Sequence, residues 1–113
     1  MLPESGKYLW DILRAAELII EFCAGKKLAD YLDDSLLRSA VERQFQIIGD
    51  ALGQLSRHDP ETANSVPELR RIVAFRNILV HGCADVDDEL VWGVISTSLP
   101  ALKDHARRLL KKP

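Results

Sequence analysis

Arg76, Asn77 and His81 are the residues of this chain whose types and spacing best suit chemistry. A guanidinium is charged at any ordinary pH, recognises phosphate through paired N–H donors and can stabilise charge building on a transferring phosphoryl group. An imidazole titrates near neutrality and can give or take a proton. Asn77 stands four residues before His81, so on a helix the two are neighbours and the amide can fix the imidazole tautomer. These parts suffice for cleavage of RNA by attack of a ribose 2′-hydroxyl on its own phosphate, which needs no metal. They do not suffice for a Mg²⁺-dependent nuclease, which calls for clustered carboxylates. One copy of the motif offers one histidine, whereas the reaction needs an acid and a base. A two-fold dimer that brings two motif ends together supplies both.

The element that must position these residues is a helix from Pro67 to His81, with Pro67 suited to its first turn and Gly82 to its stop. At about 100° per residue, Leu69, Ile72, Val73, Leu79 and Val80 define an apolar arc with Arg76 at its centre. An unpaired buried guanidinium would cost several kcal/mol. Arg76 is therefore expected to be partly buried, with a carboxylate of the preceding long helix (Glu42 or Asp50) or a solvent cleft at its head group.

Three more long helices follow from apolar periodicity, and no alternating strand pattern competes with them. The first runs from about Lys7 to Ala24 on Leu9, Ile12, Leu13, Ala16, Ile19, Ile20 and Cys23, and Gly25 ends it. The connection from Lys26 to Asp34, with Leu28 and Tyr31, has room for one helical turn. The second, capped by Asp34 or Ser35, runs to about Ser56 on Leu37, Val41, Phe45, Ile48, Leu52 and Leu55. A separate stripe of Glu42, Gln46, Gly49 and Gly53 lies along it. Each glycine there costs ~1 kcal/mol relative to alanine, which calls for a close approach by a subunit or another helix. Arg57 to Val66 reads as a loop. Asp85, Asp87 and Asp88 favour the start of the last helix through its dipole. That helix turns Val91, Ile95, Leu99 (or Ser98), Leu102, Ala106 and Leu109 inward, and Pro100 inside it predicts a kink. The expected architecture is all-α: a single domain over residues 1–113, folded as an antiparallel four-helix bundle.

A chain of 113 residues can bury roughly 65% of its unfolded surface in one core. The net charge of −2 supplies no global field to attract nucleic acid, so any RNA contact must be a local patch. Arg70, Arg71 and Arg76 form one candidate. Arg107, Arg108, Lys111 and Lys112 form a second, which reads better as a solvated helix end that complements the dipole. Cys23 and Cys83 lack metal-ligand spacing and imply neither a zinc site nor a disulfide framework; Cys23 falls on an apolar face and reads as packing. His58 and His105 read as ordinary solvated or core residues. Met1 to Gly6 has no basic region followed by an apolar run, and no segment reaches the roughly 20 apolar residues that span a bilayer. A cytoplasmic location, no membrane partner, no metal and no cofactor are the expectations.

From Pro67 to Trp92 the chain resembles the HEPN superfamily, and within it the HepT-like toxin branch, the partners of minimal nucleotidyltransferases. That family's pattern is arginine, a polar residue, three further residues, histidine, any residue, then tyrosine, at the end of the third long helix. Arg76, Asn77 and His81 match it in type and spacing. The flanks Pro67-Glu68-Leu69-Arg70-Arg71-Ile72 and Val86-Asp87-Asp88-Glu89-Leu90-Val91-Trp92 are similar too, as are Ala40-Val41-Glu42-Arg43 and Ile47-Ile48-Gly49-Asp50-Ala51 upstream. The resemblance implies a homodimer whose motifs face a shared cleft. It implies metal-independent ribonuclease activity, with Arg76, His81 and Asn77 as the catalytic residues, and a toxin role neutralised by a nucleotidyltransferase encoded alongside. Cys83 stands where the family has the tyrosine that accepts an adenylyl group, so modification at this position is not expected. The alternative reading is a non-catalytic helical bundle that binds a minimal nucleotidyltransferase, with Arg76 tied structurally to Glu42 or Asp50.

Overall fold

Three aspartates begin helices in the computed structural model of this chain, each by accepting backbone N–H groups that the first turn leaves without partners. Asp34 Oδ1 accepts from Leu37 N at 3.0 Å, Asp59 Oδ1 from Thr62 N at 3.2 Å, and Asp87 Oδ1 from Glu89 N and Leu90 N at 3.1 and 3.2 Å. The elements in order are α1 (Ser5–Cys23), α2 (Leu28–Asp33), α3 (Ser35–His58), α4 (Pro60–Asn64), α5 (Leu69–His81) and α6 (Asp88–Lys111). The structure describes residues 1–67, 69–81 and 87–111, the side chains of Ile78, Val80 and His81 excepted. Expectations that fall on the His81 imidazole, Val80, Gly82, Cys83, Asp85 and Lys112 lie outside the described residues.

The four long helices form the expected all-α bundle, with no strand among the described residues. Helix α1 packs against α3 and α6, and α5 packs against α3. The α3 positions expected to face inward are all buried: Leu37, Val41, Phe45, Ile48, Leu52 and Leu55. In α1, Leu9, Ile12, Leu13, Ala16, Ile19 and Cys23 are buried, while Ile20 lies at the margin. Gly25 then takes φ +74°, the left-handed conformation that stops the helix at little steric cost. In α6 both Leu99 and Ser98 face inward, Leu109 is half-buried, and the helix continues through Pro100. Burial pushes the Cys23 thiol up from its ordinary value, consistent with a packing role.

Two expectations need correction. Arg57 to Val66 is not a loop throughout. Helix α3 continues to His58, and Asp59 followed by Pro60 then starts α4, aspartate serving as cap and proline as first helical residue. The apolar arc of α5 is also rotated. Among its described side chains, Ile72, Phe75 and Leu79 are buried, whereas Leu69 and Val73 are only half-buried. Phe75 meets Phe45 edge-on with ring centroids 5.1 Å apart, and this large contact sets the helix phase. Arg76 therefore stands about 40° from the Ile72 direction, on the flank of the buried face and not at its centre.

Asp59 does more than cap α4. Its Oδ2 accepts from Ser5 Oγ at 2.6 Å, Thr62 Oγ1 at 2.7 Å and Leu2 N at 3.0 Å, tying the start of the chain to the α3–α4 junction. The Ser5 and Thr62 hydroxyls and the Leu2 amide stabilise the carboxylate and hold its pKa well below the usual range. A carboxyl depressed in the folded state stabilises fully above its unfolded pKa of about 3.9, and that contribution is lost as pH falls through the folded value. Asp59→Asn is therefore expected to lower the thermal midpoint by roughly 5 °C or more at pH 7, with the gap to wild type narrowing below about pH 4. Unfolding scans from pH 7 to pH 2 check this; a gap constant across that range would show that the charge contributes nothing.

Candidate functional site between α3 and α5

Helices α3 and α5 approach closely because α3 carries no side chain at Gly49. A Cβ built there would overlap Cβ and Cγ of Arg76, so the arginine stem occupies the volume that the glycine leaves open. The glycine stripe thus has its explanation at Gly49 inside one chain, as a helix contact and not a subunit contact. Above this crossing lies a cleft of about 480 Å³ lined by Gly49, Asp50, Gly53, Gln54 and Arg57 of α3 and by Val73, Arg76 and Asn77 of α5.

The Arg76 head group is held from two sides. Its Nη2 lies 2.7 Å from Asp50 Oδ1, and its Nη1 donates to Asn77 Oδ1 at 3.2 Å. Its Nε is buried and finds no hydrogen-bond partner among the described residues. The Arg76 side chain is 28% exposed and that of Asp50 is 55% exposed. At that exposure the ion pair adds at most about 1 kcal/mol to stability, so its main consequence is orientation. The guanidinium is fixed in place and its edge remains open to the cleft. The expected partial burial, acidic partner and cleft are all present.

Asp50, not Glu42, is the partner. Glu42 lies toward the other end of α3, where burial and the neighbouring Asp88 push its carboxyl pKa up and Arg38 opposes them. Arg38 is itself engaged with Asp88 at 3.6 Å and donates to the Tyr31 and Leu32 carbonyls.

Asn77 is exposed beside Arg76. A guanidinium can only donate, so the amide oxygen faces it and the Asn77 NH₂ is left as a donor toward the cleft. His81 is the last residue of α5, one turn beyond Asn77, and its imidazole is not among the described side chains. The other histidines stand away from the cleft: His58 stacks on Tyr8 at 5.9 Å and His105 lies 3.0 Å from Ser65 Oγ. Of the first basic patch, only Arg76 lines the cleft; Arg71 borders a separate apolar groove with Phe75, Leu90 and Val94. In the second patch Arg107 pairs with Glu17 at 2.9 Å, while Arg108 and Lys111 occupy the last turn of α6, as a dipole-complementing helix end requires.

Two cleft residues escaped the sequence reading, Gln54 and Arg57. Their signal was the continuation of spacing by four along α3, from Asp50 to Gln54 and from Gly49 through Gly53 to Arg57. Among the described residues no group of three His, Cys, Asp or Glu side chains is placed to hold a metal ion, and no helix is long and apolar enough to cross a membrane.

Residues 12–109 match the family described as "Ribonuclease HepT-like". A Thermococcus cleftensis protein named "Probable ribonuclease HepT" is 32% identical over 104 residues, covering 92% of this chain and 94% of that protein. A Methanocaldococcus jannaschii chain with a provisional RNase name is 31% identical over 96 residues, 85% of this chain and 87% of its own length. One from Caldanaerobacter subterraneus subsp. tengcongensis, also provisionally named an RNase, is 30% identical over 105 residues, 93% of each. No solved structure matches the chain.

Proposed function

The chain belongs to the HepT-like ribonuclease family, and on that premise we propose that it is a metal-independent endoribonuclease of toxin type, acting at a composite cleft of a homodimer. The observation that carries this reading is the Arg76 guanidinium, oriented by Asp50 and Asn77 at the wall of an open cleft on the helix that ends in His81. In the proposed reaction the ribose 2′-oxygen attacks its own phosphorus. A base takes the 2′-proton, an acid protonates the departing 5′-oxygen, and the strand is left with a cyclic 2′,3′-phosphate. Arg76 stabilises the phosphorane-like charge. His81 serves as base or acid, its counterpart on a second protomer supplying the complementary role, and Asn77 orients the imidazole. A cognate minimal nucleotidyltransferase is the proposed antitoxin. With Cys83 in place of the family's acceptor tyrosine, neutralisation does not proceed by adenylylation at that position.

A second reading is a non-catalytic bundle that binds the nucleotidyltransferase, and the ion pair between Arg76 and Asp50 favours it, since that contact also serves a purely structural arginine. Incubation of the purified protein with a generic single-stranded RNA, with and without EDTA, separates the two. The expected result is cleavage unaffected by chelator, 5′ fragments ending in cyclic phosphate, and a dimer mass by light scattering at micromolar concentration. Cleavage that vanished with EDTA and returned with Mg²⁺ would reject the mechanism, absence of cleavage would favour the second reading, and a monomer mass would reject the shared site.

A further inference from the structure

We infer that Arg57 and Gln54 form a second phosphate-binding position in the cleft, which holds an RNA backbone phosphate adjacent to the one that meets Arg76. The inference rests on the ribonuclease reading and extends it to residues that the motif does not include. The cleft holds two guanidinium groups with different electrostatic standing. The charge of Arg76 is largely answered by Asp50 at 2.7 Å, whereas Arg57 has no ion pair among the described residues. The net positive charge of the cleft is therefore that of Arg57, in a chain whose overall charge is −2. A polyanion drawn to this surface meets a local field centred there.

Arg57 reaches the cleft along the surface of its own helix, α3. Arg57 Nη1 lies 3.8 Å from the position that a Cβ on Gly53 would take, so the side chain folds back one turn over bare backbone. Gly49 leaves room for the Arg76 stem on the α5 side, Arg57 lies over Gly53 on the α3 side, and both guanidinium groups line the one cleft between the helices. Gln54 lines the same cleft and adds an amide that can donate to a phosphate oxygen. Each successive nucleotide of a single strand presents another phosphate, so a strand seated with its scissile phosphate at Arg76 has a neighbouring one available to Arg57. The contact is made equally in ground and transition states. It raises affinity without changing the chemical step.

The test uses the full-length protein and a 2′-O-methyl single-stranded RNA, which lacks the attacking hydroxyl and reports binding alone. Anisotropy is followed from 50 to 300 mM salt for wild type, Arg57→Ala, Arg57→Lys and a control, Arg14→Ala, on the exposed face of α1. Expected for Arg57→Ala is an affinity about tenfold weaker at 100 mM salt and a log–log salt slope shallower by about 0.7, the loss of one phosphate contact on a single strand. Arg57→Lys should recover most of both, and Arg14→Ala should leave both unchanged. In cleavage of unmodified RNA, Arg57→Ala should raise KM about tenfold and leave kcat within twofold. Wild type that bound while Arg57→Ala matched it in affinity and slope would overturn the second phosphate position alone. An equal loss in Arg14→Ala would overturn it too, as a sign of diffuse attraction. Wild type that failed to bind RNA at all would overturn both this inference and the ribonuclease reading beneath it.

Discussion

His81→Ala is expected to lower the rate of RNA cleavage by ~10²-fold or more, the usual worth of a positioned acid–base group. Arg76→Ala should lose ~10²–10³-fold by withdrawing charge from the transition state. His58→Ala should change little, because that ring stacks on Tyr8 away from the cleft. The two losses should differ in kind. His81→Ala should reshape the pH–rate profile near neutrality, whereas Arg76→Ala should lower the whole profile, since a guanidinium does not titrate there. Initial rates on a defined oligonucleotide between pH 5 and pH 9 check both. Full activity in His81→Ala would remove the imidazole from the mechanism.

Gly49→Ala is expected to destabilise the fold and silence the site together. Helix propensity alone would make alanine more stabilising by about 1 kcal/mol. The new methyl group, however, would occupy the space of Arg76 Cβ and Cγ, and Cβ cannot swing aside as a side-chain tip can. Helices α3 and α5 must then separate, at an overpacking cost of typically 1–3 kcal/mol or more. That displacement would carry the guanidinium away from Asp50 and Asn77, and a shift of about 1 Å at a catalytic group can cost ~10²-fold in rate. Denaturant unfolding and cleavage rates on the same preparation test the pair of effects. Arg76→Ala should not rescue the stability of Gly49→Ala, because alanine keeps the offending Cβ, whereas Arg76→Gly should. A Gly49→Ala protein more stable than wild type would show that the helices do not approach this closely.

The residue types that could do chemistry were legible in the chain, because an arginine, an asparagine and a histidine within six residues stay within two turns of one helix end wherever the helix packs. The inward faces of α1, α3 and α6 were legible for a related reason. Each carries a long apolar stripe whose period leaves one orientation with a dry side. Helix α5 is shorter and its apolar residues spread over a wider arc, so periodicity left its phase loose by tens of degrees. The contact between Phe45 and Phe75 decided it and moved Arg76 from the centre of the buried arc to its edge.

Local pattern by itself determined an all-α bundle, a cap at Asp34 or Ser35, the stop at Gly25 and the need for a partner to Arg76. It could not choose that partner. Glu42 and Asp50 lie eight residues apart on α3, about 12 Å along its axis, and which carboxylate meets the guanidinium depends on the axial offset of two packed helices. Only the tertiary structure sets that offset, because it follows from how side chains of different volume interlock across the crossing. The same crossing gave Gly49 its purpose and brought Arg57 to the cleft. Both are consequences of two backbones meeting, and neither backbone's sequence carries the distance between them.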